Sequence, residues 1–253
     1  MSLIISYPIL IILFFAIAFL YSSVGFGGGS SYLALLSITF FSFYIIRTTA
    51  LLCNLVVVTG SCILFLREGH LYFKKFLPFI ISSVPLAFIG ASFKLKEDTF
   101  FIILGGILIF SSLALVYQTF PKKSLKSYRN YSNYLSYIIG GVIGLLSGMV
   151  GIGGGIFLAP LLNHLKWHKP IVISSLASFF ILVNSISGLL GLSISGALSI
   201  EWPETIFLII AVLLGGQLGI RISLKFFSPK LIRYFTALLV LVAGCRIFIN
   251  VFF

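Results

Sequence analysis

Apolar runs of roughly 20 residues, separated by short polar intervals, make up almost the whole chain. That is the length an α-helix needs to cross the ~30 Å hydrocarbon core of a bilayer. Membrane barrel strands would be about 10 residues long and would alternate apolar with polar positions. No such alternation is present; Phe100 to Tyr117, for instance, has only Ser111 and Ser112 as polar members. The pattern predicts ten helical elements over residues 3–24, 29–45, 48–66, 73–93, 99–119, 134–150, 155–165, 170–192, 204–222 and 231–252. The polar interval Pro121–Asn133 divides them five and five. Residues 1–120 then form transmembrane repeat one, 121–133 a basic inter-repeat loop, and 134–253 transmembrane repeat two.

Both halves interrupt their apolar pattern in the same way. Val24-Gly25-Phe26-Gly27-Gly28-Gly29 and Val150-Gly151-Ile152-Gly153-Gly154-Gly155 coincide when the chain is shifted by 126 residues. A glycine inside a helix costs about 1 kcal/mol relative to alanine, so three in a row predict a helix break. A break frees backbone N–H groups, and the next helix starts there with its positive end, a ready anion site. Ser22, Ser23, Ser30 and Ser31 would add hydroxyl groups in the first half. The competing reading is close packing. Gly25/Gly29, Gly151/Gly155, Gly140/Gly144/Gly148 and Gly215/Gly219 are all small residues four apart, the spacing that lets membrane helices approach.

Composition agrees with a membrane protein. The 253 residues are 60% hydrophobic and 9% charged, against roughly a quarter charged in soluble domains. The net charge of +12 does not point to nucleic acid, because the basic residues lie between apolar runs, where they set orientation and meet anionic lipid. Placing the central loop inside also places Arg67, Lys74, Lys75, Lys122, Lys123, Lys126, Arg129, Lys166, Lys169, Arg221, Lys225, Lys230 and Arg233 inside. Only Arg47, Lys94, Lys96 and Arg246 fall outside. Both termini are then outside, and each half makes an odd number of crossings. The expected fold class is an all-α polytopic membrane protein of two inverted-topology repeats, each of about five helical elements with a Gly-rich helical hairpin. Inverted repeats with broken helices at matching positions are a feature of secondary transporters, whose sites lie near the midplane.

Polar residues within the helices supply the remaining candidates. Thr48 and Thr49 correspond to Ser174 and Ser175 at the same offset of 126. Asn54 and Asn184 follow them. Each alone is as well explained by interhelical hydrogen bonding; together they surround the place where the two glycine hairpins should meet. The expected substrate-binding set is therefore Ser22, Ser23, Gly25, Gly27, Gly28, Gly29, Ser30, Ser31, Thr48, Thr49, Asn54, Gly151, Gly153, Gly154, Gly155, Ser174, Ser175 and Asn184. Arg47, Gln217 and Arg221 are vestibule or gating candidates; for the two arginines the plain alternative is a side chain snorkelling to the interface.

The five acids, Glu68, Glu97, Asp98, Glu201 and Glu204, all fall in loops or at helix ends. Proton relays and many cation sites use intramembrane carboxylates, so an anion substrate is favoured. His164 and His168 are four apart but have no third ligand nearby, and neither a metal nor another cofactor is expected. Cys53, Cys62 and Cys245 lie in apolar runs as small hydrophobes. No Ser-His-Asp set, paired carboxylates or Walker motif is present, so no enzymatic activity is expected.

The duplicated Val-Gly-x-Gly-Gly-Gly is followed by Tyr32-Leu33-Ala34-Leu35-Leu36 in one half and Leu158-Ala159-Pro160-Leu161-Leu162 in the other. With the hydroxyl pair after each hairpin, this resembles the sulfite exporter TauE/SafE family of bacterial membrane permeases over nearly the whole chain. The resemblance implies transport of sulfite, sulfonates, sulfoacetate or similar sulfur-containing anions across the cytoplasmic (inner) membrane. Ser30-Ser31-Tyr32 departs from the apolar, Pro-containing continuation at Ile156–Pro160, leaving the halves chemically unequal. The expected function is secondary transport of a small anion by alternating access. A passive anion channel and a non-transporting membrane scaffold remain the alternatives. The expected partners are the anion and the lipid bilayer, with a homodimer left open.

Overall fold

The computed structural model describes residues 7–22, 25–37, 42–119, 128–129, 131–226 and 229–252. They form α1 Tyr7–Ser22, α2 Gly29–Leu36, α3 Phe43–Arg67, α4 Phe73–Ser92, α5 Glu97–Thr119, α6 Asn133–Val150, α7 Gly155–His164, α8 Pro170–Ile194, α9 Trp202–Phe226 and α10 Pro229–Phe252. There is no strand among the described residues. Among the described residues, six helices, α3, α4, α5, α6, α8 and α9, are long and apolar enough to cross a membrane. The protein is an all-α polytopic membrane protein. Most of the central loop, residues 120–127 and 130, lies outside the described residues.

Each glycine run breaks the chain between two helices. Gly28 and Gly154 stand immediately before α2 and α7 at φ 85° and 83°, a left-handed conformation that a side chain with a Cβ resists. The return arms are short. At 1.5 Å per residue, α2 with 8 residues and α7 with 10 rise about 12 and 15 Å. That is half or less of the ~30 Å apolar core, too short for either helix to cross it alone.

One boundary differs from the sequence expectation. The second element stops at Leu36, and α3 begins at Phe43 rather than at 48. Ser42 sits extended at the head of α3, and no glycine or proline occurs between Phe43 and Thr59 to delay its start. Arg47 therefore lies in the second turn of a helix, not in an interval between helices.

Small residues set the packing. Gly140, Gly144 and Gly148 of α6 face the carbonyl oxygens of Phe79, Ser83 and Ala87 of α4, step for step. Gly215 and Gly219 of α9 face the carbonyls of Phe15 and Phe19 of α1 in the same manner. Both pairs run parallel. α3 and α8 run antiparallel: Thr48 near the head of α3 meets Ser199 beyond the tail of α8, and Ser175 near the head of α8 donates to the His70 carbonyl beyond the tail of α3 at 2.8 Å. α5 and α10 are also antiparallel, with Gly105 beside Phe248 and Ser112 donating to the Ala237 carbonyl at 2.9 Å. Exchanging the halves turns the α1–α9 pair into α6–α4 and leaves the α3–α8 and α5–α10 pairs in place. Two counterpart pairs thus run opposite ways, the relation inverted repeats require.

Candidate functional site

Asn54 lies near the middle of α3 and is 0% exposed. Its side chain fills the space that side chains on the glycine runs would need. A Cβ on Gly27 or Gly29 would overlap the Asn54 amide, and one on Gly153 would come within 3.1 Å of its Nδ2. The Asn54 Nδ2 donates to the Ile152 carbonyl of the second break at 2.9 Å. A Cβ on Gly29 would also lie 2.7 Å from that carbonyl. The two breaks thus meet side by side at one amide at mid-helix depth.

The heads of α2 and α7 converge on the same place. No side chain caps either helix, so their first N–H groups carry two partial positive charges into the centre of the bundle. Several buried polar atoms have no hydrogen-bond partner: Asn54 Oδ1, Ser30 Oγ and Ser185 Oγ beside the breaks, and both amide atoms of Asn184, next to Ser185 on α8. Ser185 Oγ lies 3.3 Å from where a Gly153 Cβ would be. Leaving a buried polar group unpaired costs about 1–3 kcal/mol, so a cluster of them is a place that expects a polar occupant.

The other expected residues divide by depth. Gly25 packs against Phe65 and Ser174, and its carbonyl accepts from the Ser178 hydroxyl. Gly151 packs against the backbone of Arg47. Gly154 and Gly155 lie against Phe180 and Ile181 of α8, and Gly28 against the Tyr32 ring. Ser31 shares a hydrogen bond with Tyr21. Ser22 donates to the Phe19 carbonyl at 3.3 Å and packs on Gly219. Ser23 is outside the described residues. Thr48 donates to the Tyr44 carbonyl at 3.0 Å. Thr49 pairs with Thr205 of α9 at 3.4 Å. Ser175 points to the His70 carbonyl at the opposite end of the bundle. The two hydroxyl pairs, equivalent in sequence, are therefore held at opposite ends. Gln217 lays its amide on Gly60, and Arg221 is exposed.

Arg47 is 1% exposed, not snorkelling. Its Nη2 donates to the carbonyls of Gly148 at 3.1 Å and Ala91 at 3.3 Å. Sequence reasoning missed Ser61, Ser178 and Ser185. The seven-residue spacing of Arg47, Asn54 and Ser61, and of Ser178 and Ser185, was the available signal, since it repeats one helical face.

Two cavities lie away from this centre. One of about 560 Å³ between α5, α6 and α7 is lined almost wholly by apolar groups such as Ile107, Phe110, Leu146 and Phe157. Another of about 170 Å³, where α4, α6 and α8 begin, is lined by Lys75, Tyr131, Asn133, Ser136, Trp167 and His168. There, burial and the neighbouring Lys75 and Lys169 ammonium groups hold His168 below its ordinary range. It stacks on Tyr128, and His164 lies against Tyr117.

A multi-helix membrane bundle with two broken helices meeting at a buried polar centre has the architecture of a membrane transporter. The chain belongs to the sulfite exporter TauE/SafE family, which it matches over residues 10–247. It is 32% identical over 241 residues to the probable membrane transporter protein y4hK of Sinorhizobium fredii, covering 94% of this chain and 96% of the relative. It is 26% identical over 217 residues to the probable membrane transporter protein YunE of Bacillus subtilis, covering 79% and 78%. No solved structure matches it.

Proposed function

We propose that the protein is a secondary transporter that carries a small anion, a sulfur oxyanion or organosulfonate such as sulfite, across the cytoplasmic membrane by alternating access. The observation that carries this reading is the convergence of two uncapped helix N-termini on Asn54, among buried polar groups that the protein itself leaves unpaired. Partial positive charge without a fixed carboxylate suits an anion. The antiparallel counterpart helices support two inverted repeats that rock about the centre. The excess of Lys and Arg in the intervals shared with the central loop puts that side in the cytoplasm and both termini outside. The unpaired atoms speak against a scaffold, in which such groups would satisfy one another. Near-complete burial of Asn54 and Asn184 speaks against an open channel and fits a closed step of a carrier.

The test is flux in proteoliposomes loaded in turn with sulfite, thiosulfate, sulfoacetate and sulfate, with and without a proton gradient. A saturable, exchange-competent flux is expected for at least one of them. It should fall by about tenfold or more in Gly27→Val and Gly153→Val, since tenfold is only ~1.4 kcal/mol of lost anion binding. Unitary voltage-driven currents would instead identify a channel. Unchanged flux in both variants at normal expression would remove the glycine cradle from the mechanism.

A further inference from the structure

Arg47 carries more hydrogen-bonding capacity than its surroundings use. A charged side chain in a membrane helix costs roughly 2.5–3.5 kcal/mol at the bilayer centre even on the mildest scales. No Asp or Glu pairs with this one among the described residues. Its Nη2 meets two carbonyls in the last turns of α4 and α6. Such carbonyls lack intrahelical donors and carry the negative ends of their helices. The Phe100 ring lies 5.9 Å away, close enough for a cation–π attraction. That accounts for one nitrogen. Nε and Nη1 have no partner, which leaves three of the five guanidinium N–H donors unused. Joining two helix ends does not require those three donors.

Its position along α3 gives them a use. Arg47, Asn54 and Ser61 are spaced by seven, so they share one face of the helix about 10.5 Å apart. All three are buried, and each has a side-chain polar atom without a partner. Arg47 is also the residue against which the backbone of the second break packs, at Gly151. Together the three residues cover about 21 Å of the ~30 Å core.

We propose that this face of α3 is the anion's path, with Arg47 as the charged binding step two turns from the Asn54 centre. Its free N–H donors hold an oxyanion by at least two oxygens, select for net negative charge and hand the ion to Asn54; Ser61 is the neutral step beyond. The proposal rests on the anion-carrier reading, and it restricts the substrate to small oxyanions over halides or neutral solutes.

The experiment uses the full chain in liposomes, with sulfite, thiosulfate, sulfoacetate and sulfate as probes, for wild type, Arg47→Gln, Arg47→Lys and Ser61→Ala. Flux kinetics are measured, together with thermal unfolding with and without the anion. A bound anion should raise the wild-type Tm. In Arg47→Gln that rise should vanish and KM should increase about tenfold or more, the effect of losing hydrogen bonds to a charged group. Its Tm without anion should stay level or rise, because a buried charge has been removed. Arg47→Lys should recover part of the affinity. Ser61→Ala should keep the anion-induced rise while its maximal flux falls. Wild-type KM and Tm rise in Arg47→Gln would overturn the proposal. So would a lower anion-free Tm with unchanged KM, which would leave Arg47 as a clamp between helix ends. No flux and no Tm response in wild type with any probe would instead overturn the carrier reading beneath it.

Discussion

Asn54 shows how much one side chain decides at the residue scale. Its Nδ2 is committed to the Ile152 carbonyl, and its Oδ1 faces the junction without a partner. Asn54→Asp would replace that amide with a carboxylate between two helix N-termini. One neutral hydrogen bond, worth about 1 kcal/mol, is lost. Each N-terminus returns roughly 0.3–1 kcal/mol by attracting the charge. Against that, a charged side chain at the bilayer centre costs roughly 2.5–3.5 kcal/mol, and Asn54 is fully buried. The variant should therefore be about 1.5–4 kcal/mol less stable than wild type and transport at a tenth of the rate or less, because the carboxylate occupies the place proposed for the anion. Thermal unfolding and sulfite flux measured on the same preparation check both halves of this statement, and normal flux would show that the junction is not the binding centre.

Glycine serves two purposes at the scale of the elements, and the structure separates them. At the breaks it permits the left-handed turn into α2 and α7. Along α4–α6 and α1–α9 it lets helices touch backbone to backbone. Gly144→Ala puts a methyl group 2.5 Å from the Ser83 carbonyl oxygen, so the two helices must part. Overpacking of this kind costs about 1–3 kcal/mol, and Gly219→Ala against Phe19 should behave alike. Gly106→Ala is the control, since nothing lies within 4 Å of its added Cβ; it should be neutral or slightly stabilising through better helix propensity. Equal unfolding temperatures for all three variants would contradict this assignment. The positions of most helices were legible in the sequence because apolar length and loop polarity are local properties. The start of α3 was not, because Phe43 to Arg47 reads equally well as the tail of one apolar element or the head of the next. Only the packing of Arg47 against the ends of α4 and α6 makes it a helical, buried residue.

For the whole molecule, relative helix directions and charge distribution lead to the same arrangement by independent routes. Antiparallel α3–α8 and α5–α10 are consistent with halves of opposite sense, and the basic intervals predict that the side of the central loop faces the cytoplasm. A reporter fused at the C-terminus tests this jointly. Alkaline phosphatase there should be active and a green fluorescent protein dark, and the reverse result would flip the orientation while leaving the bundle intact.

The amino-acid sequence by itself determined that this chain lives in a bilayer, that the same triple-glycine pattern occurs twice, and that each copy breaks a helix. These follow from composition, length and repetition, which need no knowledge of what touches what. It also pointed to Asn54 and to the absence of an intramembrane acid. Tertiary structure alone decided which of the matched polar residues share a site. Thr49 and Ser175 look equivalent along the chain, but their helices run in opposite directions and carry them to opposite ends of the bundle. Asn54 and Gly153, 99 positions apart with no periodic relation, are brought together because both glycine breaks pack against the middle of α3.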